Sequence, residues 1–309
     1  MKAVRYHSYG ASDVLVYEEA ERPEAGEGQV LVRVAGAAFN PVDASIRAGY
    51  LQEVFQLTLP HIPCYDVAGL ITEVGEGVSG WRVGDAVVAF LPIASPGAAA
   101  EYVAVPAEAL AAAPRKGELA DAAALPSVGL TAWQALFEHA GLKSDQSLLI
   151  NGAGGAVGGY AVQLAAQAGA VVTATASARS HDRIHSYGAS RIIDYTATPV
   201  REAMAGQRFD VVLNLAYIPE EIAQLVDLVA DSGAFVNTVP PTPEDAERGV
   251  RMLQVFARSD ADQLAGLVNR VDTGDLKIDV AQRRPLAELP AVHDEAATGR
   301  LPGKTVVTA

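Results

Sequence analysis

The sequence contains an uncharged stretch from Gln146 to Ala178, which is interrupted by a cluster of glycines and strongly limits the possible folds. The stretch is longer than a membrane span requires, but the glycines at positions 152 to 159 divide it into an apolar strand, a turn, a helix and a second strand. Such a division is typical of a buried α/β core, in which helices cover both faces of a parallel sheet. The stretch therefore predicts a strand-turn-helix-strand unit and not a membrane helix.

The turn has the pattern of a phosphate-binding loop, because an apolar strand ending at Ile150 leads directly into it and an apolar helix face follows it. Backbone N–H groups and the helix dipole favour an anion such as a pyrophosphate at the start of a helix. A turn of this kind also suits a methyl-donor cofactor or close packing alone. The residues expected to contact a dinucleotide are Ala153, Gly154, Gly155, Ala156 and Val157.

The end of the second strand indicates which dinucleotide would bind. A carboxylate at that place would bind the ribose 2′-hydroxyl of NAD, but the strand runs into Ser177 and Arg179 without one. Arg183 and Arg191, with His181 and His185, complete a cationic cluster that suits the 2′-phosphate of NADPH. The sequence thus predicts NADPH, with Ser177 and Arg179 as the favoured contacts, whereas Arg183 and Arg191 fit a solvated helix face equally well.

The hydrophobic rhythm divides the chain into two parts. Up to about Pro106 the sequence consists of short β-branched runs separated by glycines, which predicts a compact, partly closed antiparallel domain. After about Ala107, apolar strands alternate with helical patterns, which predicts a doubly wound parallel sheet and an α/β class for the whole chain. We expect the alanine-rich segment 107–124 to be helix and connector, and Lys304 to Thr308 to be a strand whose partner the sequence does not identify.

Composition limits the classes of binding partner and the cellular compartment that are expected. The formal net charge of −14 would repel phosphate backbones, so neither nucleic acid nor an anionic membrane surface is an expected partner. Cys64 is the only cysteine, which excludes an intramolecular disulfide framework and a zinc site built on several thiolates. The first residues read as an amphipathic strand and not as a secretion signal. A cytoplasmic protein is therefore expected.

Several motifs in a shared order resemble the zinc-independent quinone oxidoreductases of the medium-chain dehydrogenase/reductase superfamily, over nearly the whole chain. The motifs are Asn40-Pro41-Val42-Asp43, Pro63-Cys64-Tyr65-Asp66-Val67-Ala68-Gly69, the stretch Gly75 to Asp85, Leu125 to Trp133, the glycine turn and Gly299 to Val306. The resemblance implies a GroES-like, mostly β catalytic domain at 1–113, completed by about 275–309. It also implies a Rossmann-like NADP(H)-binding domain at 114–274, a cofactor in the cleft between the two domains, and a homodimer.

The same resemblance implies that no metal takes part. Asn40 stands where zinc-dependent relatives have a cysteine, and the second motif offers no His-Glu pair. A catalytic zinc needs three converging protein ligands, and His61 with Cys64 would be a poor substitute. These two residues are expected to be a loop histidine and a small buried thiol.

The resemblance also assigns site residues. Asn40 and Asp43 would shape the substrate and nicotinamide pocket, Thr131 would lie beside the nicotinamide, and Tyr195 would lie near the 2′-phosphate. Further residues at the ends of two Rossmann strands would contact the ribose or the carboxamide, namely Asn214, Ala216, Asn237 and Thr238.

The reaction expected from these features is hydride transfer from NADPH to a quinone or a conjugated enone. Most of the rate enhancement of such a reaction can come from positioning the reactants and from hydrogen-bond donors to the oxygen that gains charge. Asn40, Tyr50 or a bound water would hydrogen-bond the developing enolate, and the proton donor is not assigned. Ser45 and Leu51 fall where close relatives are expected to have pocket tyrosines, with Tyr50 one position away. The sequence therefore does not identify the substrate.

Three alternatives remain at this stage. An enoyl or enone reductase of polyketide or fatty-acyl metabolism would share the cofactor and the hydride step, and would differ only in its pocket. A catalytically idle sensor or structural protein would bind NADPH without turnover. A methyl-donor-binding protein would bind no nicotinamide at all, which the two-domain motif set disfavours.

Overall fold

The computed structural model describes residues 1–239 and 248–309, which form two compact units. One unit combines Met1–Ser127 with Ser259–Ala309, and the other is Val128–Arg258. Among the described residues, no helix combines the length and the apolar character needed to cross a membrane.

The amino-terminal part of the first unit is an antiparallel β structure built around one long strand. Its elements are β1 (Lys2–Tyr6), β2 (Leu15–Glu19), β3 (Gln29–Ala38), α1 (Pro41–Arg47), β4 (Asp66–Val74), β5 (Ala86–Phe90), β6 (Tyr102–Pro106) and β7 (Leu110–Ala112). Strand β3 pairs antiparallel with β4 and also with β6. Strand β3 thus has a partner strand on each side, and Leu31 is buried as well as Val30 and Val32.

In the described part of the second unit, six strands form a fully parallel sheet, and helices connect the strands from β8 to β12. Its elements are α2 (Pro126–Trp133), β8 (Ser147–Asn151), α3 (Ala156–Gln167), β9 (Val171–Thr175), α4 (Ala178–Ser186), β10 (Arg191–Ile193), α5 (Val200–Ala203), β11 (Phe209–Asn214), α6 (Pro219–Val226), β12 (Val229–Asn237) and β13 (Arg251–Gln254). The strand order is β10-β9-β8-β11-β12-β13. This is the doubly wound Rossmann order, in which ligands bind outside the carboxyl ends of the strands where the order reverses, here between β8 and β11.

Two strands of this sheet have features that the alternation of strands and helices does not specify. Strand β12 begins at Val229, which pairs with Phe209 before an irregularity in the strand pairing. Strand β13 was not predicted, since it is only four residues long and lies at the sheet edge without a fully buried residue. The confirmed strands pack the apolar core of the unit, which includes Leu149, Val212 and Phe235.

The carboxyl-terminal segment returns to the first unit. Its elements are α7 (Ala261–Thr273), β14 (Gln282–Pro285), α8 (Leu289–Ala297) and β15 (Thr305–Thr308). Strand β15 pairs antiparallel with β3, with Val306 opposite Ala38, so the terminal strand finds its partner in the amino-terminal sheet. The alanine-rich segment 107–124 is not an α-helix but strand β7 and two 3-10 turns, because Ala111 and its neighbours pair with β5.

Candidate active site

The glycine turn between β8 and α3 has the geometry that the sequence predicts. Gly152 has a φ of +89°, which is a left-handed conformation that favours glycine. The Ala153 N–H donates to the Thr175 carbonyl at 3.1 Å, and Gly155 caps the helix, which begins at Ala156. The first N–H groups of a helix have no acceptor within it, so those of α3 and its dipole provide a place for an anion.

Gly158 is the glycine of this turn that has no room for a side chain. A Cβ atom there would lie 2.5 Å from the Ala153 Cα atom and 2.6 Å from the Gly152 carbonyl oxygen. Gly158→Ala is therefore expected to lower the free energy of unfolding by about 1 to 3 kcal/mol and to weaken dinucleotide binding, because the turn must shift. Urea unfolding and a dinucleotide titration measure both effects.

Gly159 is the matched control for Gly158, because it is the next residue of the same helix. Its Cβ would lie 3.4 Å from the Arg183 Nη1 atom and 3.5 Å from the Tyr187 ring, which is ordinary packing distance. Gly159→Ala should leave the unfolding free energy unchanged or raise it by up to about 1 kcal/mol, since alanine is the better helix former. Equal losses in the two variants would contradict the steric argument.

The residues favoured for a 2′-phosphate lie beyond the end of β9. Ser177 is the half-buried N-cap residue of α4, and its side chain makes no capping hydrogen bond. Arg179 is exposed, and within the described part of the chain its side chain makes no hydrogen bond or ion pair. Tyr195 follows β10 and is about half exposed. A cationic side chain therefore stands available close to the strand end, as the NADPH prediction requires.

The other two arginines of the cationic cluster are held by backbone carbonyls. Arg183 donates from Nη2 to the Gly154 carbonyl at 2.7 Å, so it braces the glycine turn itself. Arg191 donates to Gln207 Oε1 at 3.1 Å and to the Ala203 carbonyl at 3.2 Å, so it caps the end of α5. Arg179 is thus the arginine of these three that makes no such contact in the described part of the chain.

Asn214 and Asn237 lie at the carboxyl ends of β11 and β12, but their amides are bonded to each other. Asn151 donates to Asn214 Oδ1 at 2.9 Å, and Asn214 donates to Asn237 Oδ1 at 3.1 Å. Thr175 donates to Asn151 Oδ1 at 2.9 Å, and all four side chains are buried. We call Thr175, Asn151, Asn214 and Asn237 the amide ladder.

The remaining cofactor residues predicted from the sequence lie near the same sheet edge or on α2. The Ala216 N–H donates to Asn214 Oδ1 at 3.4 Å, and the Thr238 N–H donates to the Asn214 carbonyl at 3.2 Å. Thr131 is half-buried on α2. The contacts of these three residues with a cofactor stay a prediction.

A buried polar cluster lies in the first unit around Asp66. The Asp66 carboxylate accepts hydrogen bonds from the Ser127 N–H at 2.7 Å, the Ser127 hydroxyl at 2.6 Å and the Asn40 amide at 2.8 Å. The Lys304 ammonium lies 3.4 Å from the same carboxylate and donates to Asn40 Oδ1 at 2.6 Å and to the Phe39 carbonyl at 3.2 Å. We call Asn40, Asp66, Ser127 and Lys304 the buried polar cluster.

Asn40 and Asp43 also form the start of α1. The Asp43 carboxylate accepts from the Asn40 N–H at 2.7 Å and from the Cys64 N–H at 2.9 Å, and it is 1% exposed. Burial raises the pKa of Asp43 to about 7, although the two N–H donors act in the opposite direction. Asp43 thus joins α1 to the Cys64 segment, while the Asn40 amide is held between Lys304 and Asp66.

Tyr50, His61 and Cys64 differ sharply in exposure. Tyr50 is 83% exposed, so its hydroxyl is free to meet a ligand. His61 is buried against the Tyr65 hydroxyl at 2.9 Å, and burial lowers the pKa of His61 to about 4. Burial raises the pKa of the Cys64 thiol. Among residues 1–239 and 248–309, no three His, Cys, Asp or Glu side chains are grouped to hold a metal ion.

Sequence reasoning missed the roles of Asp66, Ser127, Lys304 and Arg183. Asp66 and Lys304 stand inside two of the motifs that carry the family resemblance, and each is a charged residue next to an apolar strand. Such a position signals a buried partner of opposite charge. No comparable signal marks Arg183, whose contact with Gly154 depends on the packing of α4 beside the turn.

Comparisons with known proteins agree with this geometry. The family model described as "Alcohol dehydrogenase GroES-like domain" matches residues 26–115, and that described as "Zinc-binding dehydrogenase" matches residues 187–307. The chain is 32% identical to the chloroplast envelope quinone oxidoreductase homolog of Arabidopsis thaliana, covering 99% of this chain and 98% of that protein. It is also 32% identical to the chloroplastic NADPH-dependent alkenal/one oxidoreductase of the same plant, covering 99% and 79%. The quinone oxidoreductase from Coxiella burnetii superposes with a TM-score of 0.89 at 28% identity, covering 100% of this chain and 99% of that one.

Proposed function

The chain belongs to the quinone oxidoreductase-like family of the medium-chain dehydrogenase/reductase superfamily, and we propose that it is an NADPH-dependent reductase of quinones or conjugated enones. Membership makes the chain an oxidoreductase that uses a nicotinamide cofactor. The observation that carries NADPH is the acid-free end of β9 beside the exposed Arg179. The names of two relatives, a quinone oxidoreductase homolog and an NADPH-dependent alkenal/one oxidoreductase, support the substrate class.

The residues of the second unit fit a dinucleotide. The left-handed backbone conformation at position 152 favours glycine. A Cβ atom at Gly155 would enter nearly open space, with only the Gly152 carbonyl oxygen at 3.4 Å. Backbone at the turn can therefore approach a pyrophosphate closely. We assign the diphosphate to the N–H groups at the start of α3, and the 2′-phosphate to Ser177, Arg179 and Tyr195.

The reduced nicotinamide supplies a hydride when bound. The side chains of this protein then have to orient the acceptor, exclude water and provide a donor for the oxygen that gains charge. Asn40 and Asp43 are proposed to shape the site, because the amide and the carboxylate are both held by fixed partners. Tyr50 is the proposed hydrogen-bond donor, because its hydroxyl is exposed while the Asn40 amide is engaged by Asp66 and Lys304.

We further propose that the reaction needs no zinc. The Lys304 ammonium already supplies a positive charge at the place where Asn40 Oδ1 and the Asp66 carboxylate converge. His61 is bonded to Tyr65, and the Cys64 thiol is kept protonated by burial, so neither is prepared to act as a metal ligand.

Removal of metal ions is therefore expected to leave the rate of NADPH oxidation unchanged. The measurement is a rate assay before and after dialysis against a chelator, with the zinc content of the active sample determined in parallel. Stoichiometric zinc whose removal abolishes the rate, and whose return restores it, would contradict the zinc-free proposal.

The test of the proposed function is an NADPH-oxidation screen with benzoquinones, naphthoquinones, enones and enoyl thioesters. A faster rate with quinones or simple enones supports the proposal, while a rate confined to enoyl thioesters supports an acyl-chain reductase. NADPH binding without turnover on any acceptor would indicate a sensor or structural protein. A homodimer is also proposed, supported by the family resemblance, and sedimentation tests it. A cytoplasmic location is proposed as well, supported by the single cysteine.

A further inference from the structure

The amide ladder follows from strand register. In the parallel sheet, Asn214 lies directly beside Asn151 on one side and beside Asn237 on the other. The three amides therefore occur at the same level on three adjacent strands, and Thr175 ends the fourth. This level is the carboxyl edge at the reversal of strand order, where the proposed function places the dinucleotide.

Backbone groups at its two ends give the ladder a fixed direction. The Gly152 N–H donates to Thr175 Oγ1 at 2.9 Å, and the Asn237 amide donates to the Val239 carbonyl oxygen. An N–H can only donate and a carbonyl can only accept, so every member between them has one orientation. No single amide can turn over without breaking two hydrogen bonds in a buried, low-dielectric place.

Two members of the ladder also accept hydrogen bonds from the backbone two residues after their own positions. Asn214 Oδ1 accepts from the Ala216 N–H at 3.4 Å, and Asn237 Oδ1 accepts from the Val239 N–H at 3.3 Å. Side-chain bonds to the backbone two residues later are typical of Asx turns, which set the path of a loop. The ladder thus links Gly152, the first residue of the glycine turn, to Ala216 after β11 and to Val239 after β12.

We propose that the amide ladder positions the cofactor-binding edge as one unit, so that the glycine turn and residues Thr238 and Val239 hold one conformation when the dinucleotide binds. The inference rests on the proposed function, because it takes this edge as the dinucleotide site. The ladder residues are positioning residues, because their side chains are bonded to one another and to the backbone, and they act on the cofactor through Gly152, Ala216 and Val239. Breaking either end should therefore disturb the other.

The experiment is a double-mutant cycle on the two ends of the ladder. Thr175→Val removes the hydroxyl that receives the Gly152 N–H, and Asn237→Asp replaces the amide donor to the Val239 carbonyl with an oxygen. Each change is expected to weaken NADPH binding by about 10-fold. The double variant should bind little more weakly than the worse single variant, because the ladder is already broken. Factors that multiply in the double variant would overturn the proposal.

Asn269→Asp is the matched control, because Asn269 is exposed on α7 and the change introduces the same charge. It should leave NADPH affinity unchanged. Hydrogen exchange on the ligand-free protein gives an independent readout: Thr175→Val should speed exchange of the distant Val239 N–H, and unchanged exchange there would overturn the ladder as a unit. A wild-type protein that binds no NADPH would refute the proposed function instead, and the exchange result would then decide the ladder alone.

Discussion

Replacing Lys304 by methionine is expected to lower the free energy of unfolding by about 3 to 5 kcal/mol, which is the usual cost of leaving a buried charge without its partner. The Lys304 side chain is 4% exposed and that of Asp66 is fully buried, so water cannot replace the lost ammonium. The bonds from Ser127 and Asn40 to Asp66 would remain, but the negative charge would be uncompensated. Chemical denaturation of the two proteins measures the difference.

Two further variants test whether the lost positive charge causes the loss of stability in Lys304→Met. Lys116→Met removes the same kind of side chain from an exposed place and should change the free energy of unfolding by less than about 0.5 kcal/mol. Adding Asp66→Asn to Lys304→Met removes both charges and should recover part of the lost stability. If the double variant is no more stable than Lys304→Met alone, the ion pair is not the cause of the loss.

Arg179→Glu is expected to weaken NADPH binding by about 10- to 100-fold, which corresponds to about 1.4 to 2.8 kcal/mol, and to leave NADH binding nearly unchanged. The reason is that the exposed guanidinium would be replaced by a carboxylate facing the 2′-phosphate, whereas NADH has no phosphate there. Fluorescence titration of both reduced cofactors with both proteins measures the change in preference.

Arg201→Glu provides the control for net charge. Arg201 is exposed on α5 in the same unit and carries the same charge, but α5 follows β10 and not the end of β9. The control should keep the wild-type preference for NADPH. Overlapping titration curves for NADPH and NADH in the wild-type protein would refute a 2′-phosphate site at Arg179.

The glycine turn shows how much of the structure can be predicted from residues that are adjacent in the sequence. An apolar strand, a left-handed glycine and an apolar helix face are consecutive in the chain, so their order alone predicts β8, the turn and α3. The absence of a carboxylate at the end of β9 is local in the same way. These features gave the fold class and the nicotinamide cofactor of the family.

Side-chain partners distant in sequence were beyond local reasoning. Asn214 reads as a polar residue at a strand end, and its amide could have faced a ligand, but strand pairing places Asn151 and Asn237 beside it. Arg183 and Arg179 belong to the same helix α4, yet one reaches the Gly154 carbonyl and the other is exposed. Which of two similar side chains remains available depends on what packs against each of them.

The alternation of strands and helices, the glycine turn and the absence of an acidic residue after β9 could be predicted from the amino-acid sequence, because they are properties of neighbouring residues. Three features could not: Lys304 lies beside Asp66, β15 pairs with β3, and the asparagines expected to contact the ribose bond to one another. A hydrogen bond or an ion pair depends on the distance between two groups in space. Residues 66 and 304, or 151 and 214, become neighbours only when the sheets assemble.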